Sequence, residues 1–128
     1  MAKKKWPKLP WFKIPLFGNA VTYLIRSKEE WNAAVEYLGN EPEANDFKAG
    51  CTQTFENKEE GQVLYLLGVF NADVATLVHE CGHVAFYVCR DVGVPTDASL
   101  SSETYCYLLD RMFSHFLPHI QKQTEAFK

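Results

Sequence analysis

Two histidines four residues apart, His79 and His83, constrain the fold of this chain more than any other feature. Residues with this spacing lie on the same face of an α-helix, one turn above the other, so both imidazoles can reach one metal ion. Glu80 directly follows the first histidine and would point into the space beside such an ion. The pattern His-Glu-x-x-His therefore predicts a helix that carries a metal site.

The residues around this motif have helical periodicity. Between Asn71 and Arg90, the polar side chains fall within about a third of the helix circumference at 100° per residue. The opposite face is apolar, which predicts a helix buried on one side and lining a cleft on the other. Asn71 is the predicted N-cap. An amphipathic helix whose histidines merely border solvent is the alternative. The polar stripe comprises Asp73, Thr76, His79, Glu80, His83, Tyr87 and Arg90, and the apolar face comprises Val74, Leu77, Val78, Cys81, Val84, Ala85, Val88 and Cys89.

The overall composition is that of one soluble domain. The chain has 128 residues, of which 47% are hydrophobic, enough for a single core. Its four cysteines are widely spaced and form no Cys-x-x-Cys pair, which favours reduced thiols and a cytoplasmic location. No apolar run approaches the roughly 18 residues of a membrane span.

Charge divides the chain into two parts. Residues 1–18 contain five lysines and no acid, whereas the rest holds eight Lys and Arg against sixteen acids. Three prolines in the first part predict an extended N-terminal arm, followed by a single domain at residues 19–128. We expect the arm to lie on the domain or on another copy, or else to bind a protein, nucleic acid or anionic membrane. The acidic body is not expected to bind nucleic acid over a broad face.

The remaining segments predict an α+β fold, with a small antiparallel or mixed sheet packed against the metal-binding helix and a second long C-terminal helix. A strand is predicted at Ala20–Arg26. Ser27 and Glu30 are predicted to form a capping box for a helix that ends near Gly39. Residues 39–48 are a predicted loop. Two further strands, 51–56 and 62–70, are joined by a turn, and the last helix runs from about residue 101 to 116, with Pro118 ending it.

A catalytic zinc ion usually has three protein ligands, and Glu103 is the predicted third. It lies near the start of the last helix, which could fold back beside the first. Glu103, Cys106, Tyr107, Asp110 and Ser114 share one face of that helix, and a solvated polar face is the competing interpretation. Asp91, Asp97 and Asp110 are rival carboxylates. His115 and His119 straddle the predicted helix break, which favours surface histidines.

With His79, His83 and Glu103 as ligands, Zn2+ would activate a water molecule, and Glu80 would be the general base. Tyr107, Tyr87 or Arg90 could stabilise the oxyanion, and Asp110 or Asp73 could orient a ligand histidine. Two histidines and a carboxylate can also hold Fe(II), although the helical motif with its adjacent glutamate favours zinc.

The segment His79-Glu80-Cys81-Gly82-His83, followed by Glu103 in Ser101-Ser102-Glu103-Thr104-Tyr105-Cys106-Tyr107-Leu108-Leu109, resembles the minimal gluzincin metallopeptidases. The likeness is greatest to small phage-encoded metallopeptidases and to repressor-cleaving proteases of phages and mobile elements, and it covers about residues 60–115. It implies a sheet packed on the metal helix, zinc bound by two histidines and a downstream glutamate, and peptide hydrolysis. A phage-encoded protein would act in the host cytoplasm. The chain departs from these proteases in lacking a helix-turn-helix.

Three functions are consistent with these features. The first is a zinc-dependent metalloprotease that binds an extended protein or peptide substrate along a sheet edge. The second is a non-catalytic binding or inhibitory module, of viral origin for example, with the same fold. The third is a zinc hydrolase of another bond, because the motif specifies an activated water and not the bond it attacks.

Overall fold

The computed structural model describes residues 5–15, 18–41, 49–57, 61–97 and 102–126, with side chains at all of these except 57 and 122–126. The predicted turn after Asn57, most of the predicted loop at 39–48 and the predicted helix start at Ser101 lie outside the described residues. Seven elements follow in chain order: β1 (Trp11–Lys13), β2 (Ala20–Ile25), α1 (Lys28–Tyr37), β3 (Gly50–Asn57), β4 (Gln62–Val69), α2 (Val74–Val92) and α3 (Glu103–Ala126).

The four strands form one mixed sheet in the order β1-β2-β4-β3. β1 pairs with β2 and β3 pairs with β4 in antiparallel fashion, while β2 and β4 are parallel neighbours. The α+β prediction with a small mixed sheet is therefore confirmed. The hairpin partner β3 is left at one edge of the sheet, and β1 is left at the other.

Helices cover both faces of the sheet, since alternate strand residues point in opposite directions. α2 and α3 pack against Leu24, Tyr65 and Leu67 in the larger core cluster. α1 packs through Trp31 and other apolar residues against Ile25 and Leu66 on the opposite face. The two clusters explain why β4 is almost continuously apolar: its neighbouring residues face different cores.

The cap of α1 is as predicted, whereas the cap of α2 is not. Ser27 accepts a hydrogen bond from the Glu30 amide and donates one to the Glu30 carboxylate. For α2, Asn71 is not the N-cap. Asp73 is, and it accepts a hydrogen bond from the Ala75 amide at 3.0 Å. Asn71 Oδ1 instead accepts from the Asp73 amide, and Ala72 between them has a left-handed φ of 55°. The turn before the helix therefore delays its start by about two residues.

The predicted end of the last helix near Phe116 is wrong. α3 continues through Pro118 to Ala126. An interior proline removes one helical hydrogen bond and costs about 3 kcal/mol. Met112, Phe116 and Ile120 are all buried in the main core at a spacing of four residues. Continuing the helix buries Ile120, and this packing offsets the cost of the proline.

Part of the predicted N-terminal arm belongs to the sheet. β1 pairs along β2, and Ile14 directly after it is 1% exposed in the main core. Within the described residues, no helix is long and apolar enough to cross a membrane.

Candidate metal centre

The two motif histidines lie side by side on α2, as their spacing predicts. His79 Nε2 and His83 Nε2 are 3.2 Å apart, which is a hydrogen-bond distance in the absence of an ion, and both residues are exposed. Two nitrogens bound to one tetrahedral zinc ion at 2.0–2.1 Å are separated by roughly 3.3 Å. The pair thus has the separation that two ligands of a single zinc ion need.

Glu80 lies closer to the core than the sequence suggested. The polar stripe placed it beside a cleft, but it is only 5% exposed. Its Oε2 accepts a hydrogen bond from the Thr52 hydroxyl at 3.0 Å. A buried carboxylate needs such a donor, because its charge has lost most of its contact with water. The Glu80 side chain, which extends from α2, is therefore fixed against β3.

The apolar face of α2 is narrower than predicted. Val74 and Val78, which the periodicity assigned to the buried side, are 38% and 43% exposed. The buried face instead centres on Leu77, Cys81 and Val84 and includes Glu80 at its border. Glu80 faces β3, where it accepts the hydrogen bond from Thr52.

A small cavity of about 450 Å³ opens beside His79 and Glu80, and Gly50 forms part of its wall. A Cβ atom built on Gly50 would lie 2.8 Å from both the Gly68 carbonyl oxygen and Thr76 Cγ2. It would also lie 3.0 Å from Glu80 Cγ. Glycine at this position therefore allows α2 to approach the edge strand closely enough for the Thr52–Glu80 hydrogen bond.

A series of contacts connects His83 to the sheet. The Tyr87 ring stacks on His83 with centroids 6.2 Å apart, and the Arg90 guanidinium lies 4.8 Å from the Tyr87 centroid. Arg90 Nε donates to Asp91 Oδ1 at 2.9 Å, and the Tyr65 hydroxyl donates to Asp91 Oδ2 at 2.6 Å. Burial, followed by the bond to Asp91, raises the pKa of Tyr65 above its ordinary value. Tyr87 and Arg90 thus share the histidine face of α2, as predicted.

Glu103, the predicted third ligand, is the exposed first residue of α3. Among the described residues, the one group of three or more side chains that could hold a metal consists of His79, Glu80 and His83, whose ligand atoms lie within 4.8 Å of one another. The structure does not bring Glu103 into this group. The first turn of α3 is nevertheless close to the motif, because the Tyr105 hydroxyl would lie 3.4 Å from a Cβ at Gly82.

The other predicted site residues have different surroundings. Tyr107 is 46% exposed, and Asp110 accepts a hydrogen bond from its neighbour Arg111 at 2.7 Å. Both lie on the exposed face of α3 with Glu103, Cys106 and Ser114, so the prediction that these five residues share one face is confirmed. Asp73 caps α2.

The remaining histidines lie away from the motif. His115 is exposed, as predicted, and its Nε2 donates to the Trp11 carbonyl oxygen at 2.8 Å. The predicted helix break between His115 and His119 is wrong, because α3 continues through Pro118. Within the described part of the chain, neither belongs to a potential metal-binding group.

The donor set fits a zinc ion in two respects. Both exposed imidazoles present Nε2 at the required separation, and a carboxylate lies beside them. Sequence reasoning did not identify Thr52 or Gly50, because each acts on Glu80 from β3, 28 and 30 residues earlier in the chain. The only sequence signal was Gly50 directly before the predicted strand 51–56, since a glycine in a strand often marks the close approach of another backbone.

No protein-family model, curated protein or solved structure matches this chain.

Proposed function

We propose that this protein is a zinc-dependent peptidase whose general base is Glu80. The observation that carries the proposal is the 3.2 Å separation of His79 Nε2 and His83 Nε2, with the Glu80 carboxylate beside them. Helical His-x-x-x-His with an adjacent glutamate is the usual arrangement of a zinc peptidase. The assignment of peptides as substrates rests on the resemblance of the motif and Glu103 to gluzincins.

Bound zinc would lower the pKa of a coordinated water to about 7 and polarise the substrate carbonyl. In this chain, the Glu80 carboxylate is the group that takes a proton from the attacking water and passes it to the leaving amine. Thr52 donates to Oε2 and so orients the carboxylate, which assigns proton transfer to Oε1. Fixing the base in this way reduces the conformational freedom that a reacting group must otherwise lose.

The substrate in this proposal is an extended peptide. β3 is an edge strand, and Thr52 lies on it, so the general base is held at an edge of the sheet. An extended chain can add to such an edge through backbone hydrogen bonds. The cavity bordered by Ala49, Gly50 and His79 would receive a side chain of that peptide.

The third zinc ligand remains a proposal based on sequence. Two histidines leave a catalytic zinc ion one protein ligand short, and Glu103 would complete the set. Glu103 begins α3, whose first turn approaches the motif through Tyr105, but side chains two residues apart on a helix point to opposite faces. The assignment therefore rests on the sequence resemblance.

One observation favours the alternative of a non-catalytic binding module. Glu103 is exposed and lies outside the group formed by His79, Glu80 and His83. A site with two histidines alone would bind metal more weakly and could serve a structural contact instead of catalysis. Only the peptidase would hydrolyse peptides, and this hydrolysis would require Glu80.

The test combines metal content with hydrolysis of a fluorescently labelled, denatured protein. We expect about one zinc per chain in wild type and in Glu80→Gln, loss of zinc in His79→Ala, and a rate at least 100-fold lower in Glu80→Gln than in wild type. Zinc binding with no hydrolysis by wild type would favour the binding module. A folded wild-type protein that binds no zinc, even when zinc is added, would exclude both a zinc peptidase and a zinc-dependent module.

A further inference from the structure

Two cavities lie on either side of one exposed tryptophan, away from the metal centre. Trp11, on the edge strand β1, is 58% exposed and directly opposite Tyr23 on β2. Both residues line a cavity of about 590 Å³ and a neighbouring one of about 400 Å³. Cavities of this size accommodate small organic groups. Tyr23 packs with the α1 cluster, whereas the motif histidines are on α2 across the sheet.

The charge of these cavities is opposite to that of the chain as a whole. Among the described residues, no acidic side chain lines either of them, although the chain has sixteen acids and thirteen Lys and Arg. Lys8 and Arg26 border the larger cavity, and Lys13 borders the smaller. Arg26 Nη1 donates to the His119 carbonyl oxygen at 3.5 Å, and both residues line the larger cavity. The surface is therefore suited to an anionic ligand.

The aromatic side chains around Trp11 are held by other contacts. The Trp6 ring meets Tyr23 edge-on at 5.0 Å and Tyr37 at 5.3 Å. The backbone of Trp11 is fixed by β-pairing and by the hydrogen bond from His115 to its carbonyl oxygen. A tryptophan side chain has only two rotatable angles, so it loses little conformational entropy when another ring stacks on it.

We propose that Trp11 and the two adjoining cavities bind a short segment of single-stranded nucleic acid. Bases stack on Trp11 and occupy the cavities beside it, while phosphates contact Lys8, Arg26 and Lys13. Aromatic platforms flanked by cations bind single strands in this way without requiring a particular sequence. An acidic peptide would form ion pairs with the basic side chains but has no base to stack on the exposed indole. The site has only three basic side chains, which is consistent with the expectation that the acidic body does not bind nucleic acid over a broad face.

The probe is a fluorescein-labelled eight-nucleotide oligo-dT, with anisotropy measured on the full chain at several salt concentrations. We expect Trp11→Ala to weaken binding about tenfold or more, which is the effect of losing one stacking platform. Lys8→Gln and Lys13→Gln should each weaken it several-fold. Neutralising three phosphates on a single strand gives a slope of about −2 for log K against log salt, and each lysine variant should make this slope shallower.

Two matched controls accompany these variants. Tyr107→Ala removes an exposed aromatic ring from α3, and Arg111→Gln removes one exposed charge from the same helix. Both should bind the oligonucleotide as wild type does. Circular dichroism establishes that Trp11→Ala is folded, and the lysine variants test the site without altering β1 packing.

Three outcomes would overturn the proposal. The first is no binding of the oligonucleotide at low salt. The second is binding that Trp11→Ala leaves unchanged. The third is equal binding of an octaglutamate peptide, which would show that the surface recognises charge and not bases.

Discussion

The Thr52 hydroxyl donates a hydrogen bond to Glu80 Oε2 across 3.0 Å, joining the edge strand β3 to the helix that carries both histidines. Glu80 is 5% exposed, so this bond compensates for part of the lost hydration of its carboxylate. The residue proposed as general base is thus held by an element that is distant in sequence and adjacent in space.

Thr52→Val should lower the free energy of unfolding by about 2 kcal/mol, because a buried carboxylate would lose its hydroxyl donor. We expect zinc content to be unchanged and peptide hydrolysis to fall, since Glu80 would no longer be oriented. Urea unfolding and elemental analysis measure the first two effects. Thr54→Val, on the same face of β3, is the matched control. Equal stability of the two variants would contradict the structural role assigned to Thr52.

Glu103→Gln should abolish stoichiometric zinc binding if this residue completes the site, because only two protein ligands would remain. Asp110→Asn makes the equivalent change on the same exposed face of α3 and should keep about one zinc per chain. Elemental mass spectrometry after dialysis against a weak chelator distinguishes the two. Full zinc content in Glu103→Gln would show that the third ligand is another group.

Stability should decline at alkaline pH because the pKa of Tyr65 is raised in the folded state. Near neutral pH the phenol is protonated in both states and contributes no pH dependence. Above pH ~10 it ionises in the unfolded chain while the folded chain retains the proton, so unfolding is favoured by up to about 1.4 kcal/mol per pH unit. The free energy of unfolding between pH 8 and 11 measures this decline.

Tyr65→Phe should be less stable than wild type at pH 7 by about 1.5 kcal/mol, since it lacks the hydrogen bond to Asp91. Its stability should nevertheless fall less steeply above pH 10. Tyr107→Phe, the same substitution at an exposed position, is the control. A decline in Tyr65→Phe as steep as in wild type would assign the alkaline effect to other groups.

Thr22→Val should raise stability by about 1 kcal/mol. Thr22 is fully buried on β2, and its hydroxyl has no hydrogen-bond partner among the described residues. Valine has the same shape, keeps the β-branched side chain that strands favour, and removes the cost of desolvating the hydroxyl. For a chain of this length, the melting temperature should rise by about 3–5 °C. A lower melting temperature would indicate that a buried water bonds to the hydroxyl.

Local patterns predicted most of the secondary structure. The capping box at Ser27 marked the start of α1 within one residue. The β-branched and aromatic residues of β2, the nearly continuous apolar run of β4 and the turn before it located three of the strands. These features depend on neighbouring residues, so the sequence contains their cause. The end of α3 was mispredicted because the burial of Ile120 depends on a core to which β1, β2 and β4 also contribute.

The sequence by itself determined that His79 and His83 share a helical face, because a four-residue separation in an α-helix fixes that geometry. Only the tertiary structure decided that Glu80 is buried and bonded to Thr52, that Gly50 permits this approach, and that Glu103 lies outside the group of His79, Glu80 and His83. Periodicity defines the direction of a side chain relative to its own helix axis. The groups that it meets are set by how α2 and α3 pack against the sheet, and no local pattern specifies that packing.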